Sequence, residues 1–305
     1  MKRRDLLKGT AAGIVTTATV SRAAWASAAR PAESAALTPP AEGSIPVAFL
    51  ISEGAVIIDF CGPWEVFQDV IVPGRRDAPF QLYTVAQTRD PLRASGGMQI
   101  VPDYDFATAP PPRIVVIPAQ QNRGAAALEW VRAASKRADL TMSVCTGAFL
   151  LAGTGLLSGK PATTHHGSFT TFAMQFPDVQ LRRGTRFVEE GNLATAGGLS
   201  SGIDLALHVV ERYYGRDVAL RTAYQMEYQG RGWLDPASNA DYAQPPATAQ
   251  GHRICPVCWM EIDPATAPSS TYGGKRYWFC TPDHKQQFDA APARFAESLM
   301  RRKNR

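Results

Sequence analysis

Between positions 45 and 228 the chain alternates two kinds of hydrophobic block. The first kind is short and continuous. IPVAFLI from Ile45, FQLYTVA from Phe80, RIVVIPA from Arg113 and LTMSV from Leu140 show no helical period, so each predicts a buried strand. The second kind spaces its apolar residues three or four apart. PWEVFQDVI predicts a helix that starts after Gly62-Pro63. RGAAALEWVRAASKRA from Arg123 is alanine-rich and amphipathic, a strong helix former. TGAFLLAGTG predicts a helix ended by Gly153 and Gly155. SSGIDLALHVVERYYG predicts a helix capped by Ser200 or Ser201 and closed by Gly215, with another running from Arg216 to about Tyr228. RFVEEGNLATA reads as a hairpin turning at Gly191-Asn192. Buried strands alternating with amphipathic helices predict an α/β sandwich on a mostly parallel sheet over residues 45–228.

The flanks have other patterns. Residues 29–44 and 229–250 are rich in Ala, Pro and polar residues without period, and both predict linkers. Residues 251–300 carry three cysteines, two histidines and several aromatics, the composition of a second, small domain. Residues 1–28 begin with a basic run around Arg3-Arg4, continue through weakly apolar residues from Gly9 to Val20, and reach Ala26-Ser27-Ala28, a small-residue cleavage site. RRDLLKG resembles a twin-arginine export signal, which implies a periplasmic or extracellular protein. A disordered basic tail is the other reading. The apolar stretch is 12 residues long, too short for a bilayer core about 30 Å thick. No later run approaches the roughly 20 apolar residues of a membrane helix, so no stable membrane insertion is expected.

Charge changes the picture little. The formal net charge is +5, but residues 1–28 hold five basic residues against one acidic residue. The remaining chain is near neutral, which argues against a phosphate-binding surface and so against a nucleic-acid partner.

The chemistry concentrates in five cysteines, at 61, 145, 255, 258 and 280. Cys145 closes the LTMSV strand and precedes the small residues Thr146-Gly147-Ala148 at a helix start. A strand-to-helix elbow exposes its central side chain among free backbone N–H groups, and these lower a thiol's pKa and favour developing negative charge. A buried structural cysteine is the competing reading.

Four collinear segments carry a resemblance. They are SVCTGAFLLAGTGLLSGK, GAVIIDFCGPWEVF, ATTHH and ATAGGLSSGIDLALHVVE. Together they resemble the ThiJ/PfpI superfamily, in particular isonitrile hydratases and the amidotransferase-like domains of AraC-type regulators. The resemblance implies a flavodoxin-like α/β sandwich, a nucleophile at Cys145 and an acidic partner at Asp59. It puts Thr146 where peptidase-like members carry histidine, which turns the expectation from peptide hydrolysis to hydration of a small electrophile. Thiolate attack on an isonitrile with proton delivery from Asp59 gives a thioimidate, and water then yields an N-substituted formamide. Asp59 must hold a proton at the first step, so burial should raise its pKa. Gly62, Gln120 and His165 are candidate substrate-pocket residues. Pro118-Ala119-Gln120 stands where the family often has glycines, which implies a reshaped loop or a polar contact from Gln120. No cofactor is expected for the Cys145 chemistry. The family commonly dimerises, so a homodimer with Glu65 near the contact is expected. Cys61 is expected to be a packed thiol.

Near the C-terminus, Cys255 and Cys258 form C-x-x-C, and Cys280 and His284 form C-x-x-x-H. Soft thiolates with one imidazole suit zinc or copper, while a disulfide within C-x-x-C is the alternative. The segment resembles a YHS domain, with tryptophan at Trp259 where glycine is usual and histidine at His284 where cysteine is usual. A fold this small gains from a metal clip. The whole reads as an exported hydratase-like lyase with a metal-binding tail. A non-catalytic metal-handling or thiol redox-sensing protein is the alternative.

Overall fold

The structure is a computed structural model and describes residues 35–243, 248–293, 295 and 296. The export signal expected in residues 1–28, and residues 29–34 of the first expected linker, lie outside the described residues.

A seven-stranded sheet forms the centre, built from β1 (Ile45–Leu50), β2 (Phe80–Ala86), β3 (Tyr104–Asp105), β4 (Ile114–Ile117), β5 (Leu140–Val144), β6 (Phe187–Glu190) and β7 (Leu193–Ala196). Its order is β6-β7-β5-β4-β1-β2-β3. All neighbours run parallel except the β6–β7 hairpin, which turns at Gly191 with φ 64°. β4 and β5 are buried at every position, which explains their unbroken apolar runs.

The helices are α1 (Ile57–Gln68), α2 (Ala125–Ser135), α3 (Gly147–Gly153), α4 (Phe169–Gln175), α5 (Ser201–Tyr214), α6 (Arg216–Gln225) and, in the C-terminal module, α7 (Pro282–Ala290). α1, α5 and α6 cover the sheet face that presents Val47, Phe49, Met142 and Val144. α2, α3 and α4 cover the face that presents Ala48, Leu50, Val115 and Ile117. Pleating sends alternate residues of each strand to opposite layers. This is the expected flavodoxin-like sandwich, with β5 and β7 at the centre of its chemistry.

Three expectations change. The first helix does not start after Gly62-Pro63; it begins at Ile57 and contains both residues. Pro63 is tolerated inside because its ring packs on α5, where a Cβ at Gly202 would lie 3.3 Å from Pro63 Cγ. The helix α5 begins after Ser200, but the Ser200 side chain makes no cap bond, and its Oγ instead accepts from Arg186 Nη2 at 3.1 Å. One point of the second expected linker is packed, at Gly232 and Trp233, while most of its described residues are exposed. Trp233 is only 3% exposed and joins the core, and its N–H donates to Asp204 Oδ1 at 3.0 Å. Asp204 is itself buried, paired with Arg186 and hydrogen-bonded by the Tyr228 hydroxyl at 3.1 Å. Gly232 passes so close to this carboxylate that a Cβ would stand 2.4 Å from Oδ2.

The C-terminal module holds two antiparallel pairs, β8 (Arg253–Ile254) with β9 (Glu261–Ile262) and β10 (Ser269–Tyr272) with β11 (Lys275–Trp278), and α7. Phe279 and Phe288 fill its small core. Among the described residues, no helix is long and apolar enough to cross a membrane.

Candidate active site and metal centre

Cys145 stands at the carboxyl end of β5, the sheet position where open α/β folds present ligand-binding groups. Its φ is 58°, a left-handed conformation that L residues rarely adopt. The strand and the next helix impose it. Cys145 N–H donates to the Gly197 carbonyl at 2.8 Å, and the Cys145 carbonyl accepts from Thr164 Oγ1 at 2.9 Å. Two residues later Gly147 passes against β4, and a Cβ there would lie 2.1 Å from the Ile117 carbonyl oxygen. Strain of this kind is a mark of a site held in place by its surroundings.

Two backbone N–H groups point at the sulfur, those of Thr146 and Leu199. Leu199 adopts φ 44° in doing so. Its side chain is 44% exposed, so packing does not explain that conformation.

Asp59 is the third residue of α1. It is fully buried, and Oδ2 accepts the Ala119 N–H at 3.1 Å. The carboxyl also interacts with the Cys145 thiol by hydrogen bonding and by charge, so the structure brings the two expected residues together. Oδ1 has no hydrogen-bond partner among the described residues. Burial pushes Asp59 up to about 7, against the lowering effect of the Ala119 and Cys145 hydrogen bonds. Burial also pushes Cys145 up to about 11, and the Asp59 carboxylate adds to the shift. The expectation of a lowered thiol pKa is therefore overturned. The Thr146 and Leu199 N–H groups favour thiolate, but desolvation outweighs them.

The other expected pocket residues divide. Ala119 and Gln120 do not need positive φ, so the loop tolerates the loss of glycine. Ala119 ties the loop to the site twice, by N–H to Asp59 and by accepting the Val56 N–H at 2.8 Å. Gln120 is buried, with Nε2 donating to the Leu50 carbonyl at 3.1 Å and Oε1 left without a partner. His165 covers Gly198, where a Cβ would lie 2.5 Å from its Cδ2, and so borders the Gly197–Leu199 turn that supports the thiol. Its Nδ1 accepts the Gly167 N–H at 3.2 Å, while burial and the neighbouring His166 lower its pKa and keep it neutral. His166 is exposed, and its ring lies tilted against that of Tyr242 with centroids 4.6 Å apart. Gly62 packs closely on α5: a Cβ there would lie 2.9 Å from Ile203 Cγ1. Cys61 is half-buried, its pKa raised by burial and by Glu65, as befits a packed thiol. Leu199 and Ala119 were not foreseen, because a backbone N–H leaves no signature in residue type.

The second cluster is Cys255, Cys258, Cys280 and His284, whose ligand atoms all lie within 4.8 Å of one another. Cys258 Sγ and Cys280 Sγ are 3.4 Å apart, and His284 Nδ1 stands 3.0 Å from Cys280 Sγ and 3.8 Å from Cys255 Sγ. No disulfide forms within the C-x-x-C pair; all three thiols are free. A tetrahedral ion with 2.3 Å bonds to sulfur spaces its sulfurs about 3.8 Å apart, so this donor set fits zinc or copper. Hydrogen bonds from Cys258 and His284 favour thiolate at Cys255 and hold its pKa well below the usual thiol value. Thr281 caps α7 by accepting the His284 N–H at 3.2 Å, which fixes the ligand's backbone. Trp259 holds φ 69°, which explains why glycine is usual at that position.

Residues 46–212 match the DJ-1/PfpI family. The chain belongs to that family. Residues 254–298 match the YHS domain. The DJ-1/PfpI part is similar to an isonitrile hydratase of Pseudomonas putida, 30% identical over 194 residues that cover 61% of this chain and 79% of that protein. It is also similar, at 23% identity, to the transcriptional regulator GbdR of Pseudomonas aeruginosa, over 49% of this chain and 42% of the regulator. Among solved structures, a ThiJ/PfpI family protein of Pseudomonas syringae superposes with a TM-score of 0.55 at 26% identity, covering 62% of this chain and 76% of that one. Drosophila melanogaster DJ-1beta shares the fold, with a TM-score of 0.53 at 19% identity, over 62% of this chain and 100% of its own. The DJ-1/PfpI domain and the YHS domain thus account for both clusters of chemistry.

Proposed function

We propose that this DJ-1/PfpI protein is a hydratase-like enzyme that adds water to a small electrophile such as an isonitrile, with Cys145 as nucleophile and Asp59 as proton carrier. The observation that carries the reading is a buried carboxyl raised to about 7 in contact with a thiol raised to about 11. Such a pair titrates as a unit. It loses one proton near 7 and the second near 11. Between these values the remaining proton rests mainly on sulfur, and the reactive form is the minor tautomer in which it has moved to Asp59 and sulfur carries the charge beneath the Thr146 and Leu199 N–H groups. Sulfur attacks the terminal carbon as Asp59 delivers its proton to that same carbon, giving a thioimidate and an Asp59 carboxylate. Water then adds to the thioimidate carbon. Collapse returns a proton to the departing sulfur and releases the formamide, so one isonitrile and one water become one formamide. Ala119 holds the carboxyl in place throughout. The similarity to an isonitrile hydratase supports the substrate class.

The test is isonitrile consumption by the reduced protein over a panel of alkyl and aryl isonitriles, beside Cys145→Ala and Asp59→Asn. Turnover in the wild type that both substitutions abolish supports the reading. A wild type inert across the panel sinks it. A second reading, a ligand-binding domain without chemistry, is favoured by the similarity to a transcriptional regulator. Saturable binding without consumption of the same compounds would select it.

Cys255, Cys258, Cys280 and His284 are proposed to hold zinc or copper. A bound ion would cross-link the C-x-x-C loop to α7 and contribute directly to the stability of this small module. The RRDLLKG sequence supports export by the twin-arginine route; fractionation of the periplasm tests it. A homodimer is proposed by family resemblance, with sedimentation as its check.

A further inference from the structure

The knuckle of the metal cluster, Cys255 to Cys258, is not held by its own module alone. Thr170, on α4 of the DJ-1/PfpI domain, donates Oγ1–H to the Cys258 carbonyl at 2.6 Å. Arg183, on the chain that follows α4, donates Nη2–H to the Val257 carbonyl at 3.2 Å. The Arg183 guanidinium also lies over the Trp259 indole, 4.0 Å from its centroid. Ala173 of α4 packs into the same apolar core as Cys255, Cys258 and Phe279.

The two hydrogen bonds and the guanidinium stack fall on the residues that set knuckle geometry. A C-x-x-C loop presents both sulfurs to one ion only when its intervening backbone curls tightly. Here the curl drives Trp259 to φ 69°, a conformation costly for any residue with a Cβ. The Cys255 carbonyl accepts the Trp259 N–H at 2.8 Å within that curl. The guanidinium stacked on the indole, and two donors on consecutive carbonyls, hold the curl from outside. Charge points the same way. A dication bound by three thiolates and a neutral imidazole carries one net negative charge, and Arg183 is a permanent cation on the adjoining backbone.

We propose that Thr170 and Arg183 are positioning residues of the metal centre, supplied by the DJ-1/PfpI domain, so that the site is completed by both domains. This rests on the metal reading above. Groups that orient ligands in this way typically change metal affinity by about 10- to 100-fold when removed.

The experiment titrates the reduced, metal-stripped full-length chain with Co²⁺ against a competing chelator, reading the thiolate-to-cobalt absorption bands. Thr170→Val and Arg183→Met should each weaken Co²⁺ binding at least about tenfold, while the bands of saturated protein stay those of a tetrahedral site. Thr170→Ser should restore affinity, and Arg183→Lys should restore part of it by keeping the charge but not the flat stack. In a Trp259→Gly background the curl is relaxed, so Arg183→Met should lose most of its effect. Affinities of Thr170→Val and Arg183→Met within twofold of wild type overturn the assignment. So does an equal loss in the Ser and Lys variants, which marks general disruption. A wild-type chain that takes up no Co²⁺ overturns the metal reading itself.

Discussion

Asp59 and Cys145 sit in one buried space, and burial drives both towards their neutral forms. The pH behaviour follows from the proton count. The reactive pair carries one proton, so kcat/KM for an isonitrile should rise with pH through about 7, where the pair loses its first proton, and then hold steady. A profile that falls through that range contradicts the assignment. Asp59→Asn should lower kcat/KM by about 10² to 10⁴, the usual range for loss of a general acid–base group. Stability gives an independent check. The folded pKa of Asp59 is raised, so its contribution is fully present below the unfolded value near 3.8 and is lost as pH rises through about 7. Asp59→Asn removes that loss. Its Tm relative to wild type should therefore be more favourable at pH 8.5 than at pH 5, by scanning calorimetry. Cys145→Gly offers a further contrast. Glycine accepts φ 58° without strain, so it should be more stable than Cys145→Ala by about 1 kcal/mol in urea titrations.

At the scale of elements, the elbow between β5 and α3 is set by close approach to β4. Gly147→Ala would force a methyl group into the Ile117 carbonyl, and it should destabilise the fold by about 3 kcal/mol or more. Chemical denaturation measures this. The elements themselves were readable in the chain because continuous apolar runs and 3.6-residue periods report burial directly. IPVAFLI, LTMSV and the hairpin at Gly191-Asn192 fold where their patterns placed them. Cys145 and Asp59, 86 residues apart, were paired through motif resemblance, and in the structure burial and the Asp59 charge together raise the Cys145 thiol. What escaped was backbone and tertiary. The Leu199 N–H and the Ala119 N–H act without their side chains. Pro63 hid the first turns of α1, because its ring discourages a helix interior unless packing outweighs it. The lowered thiol pKa failed because local backbone donors were visible in the sequence and the depth of burial was not.

Over the whole molecule, the two domains share more than a covalent tether. Trp233 and the Asp204–Arg186 pair fix the chain that leaves the sandwich, and Thr170 and Arg183 receive the module it leads to. Removal of metal from the loaded protein by a chelator should lower the midpoint of a transition confined to the C-terminal module, leaving the sandwich transition in place; limited proteolysis should then cut first within residues 251–296. The same arrangement has a consequence in time. A chain is made from its N-terminus, so α4 and Arg183 leave the ribosome before Cys255 does. The groups that seat the knuckle are thus available before the knuckle is, and on the proposed metal reading ion capture would come last. Refolding should show it as a late phase whose rate depends on metal concentration, after an earlier phase that does not.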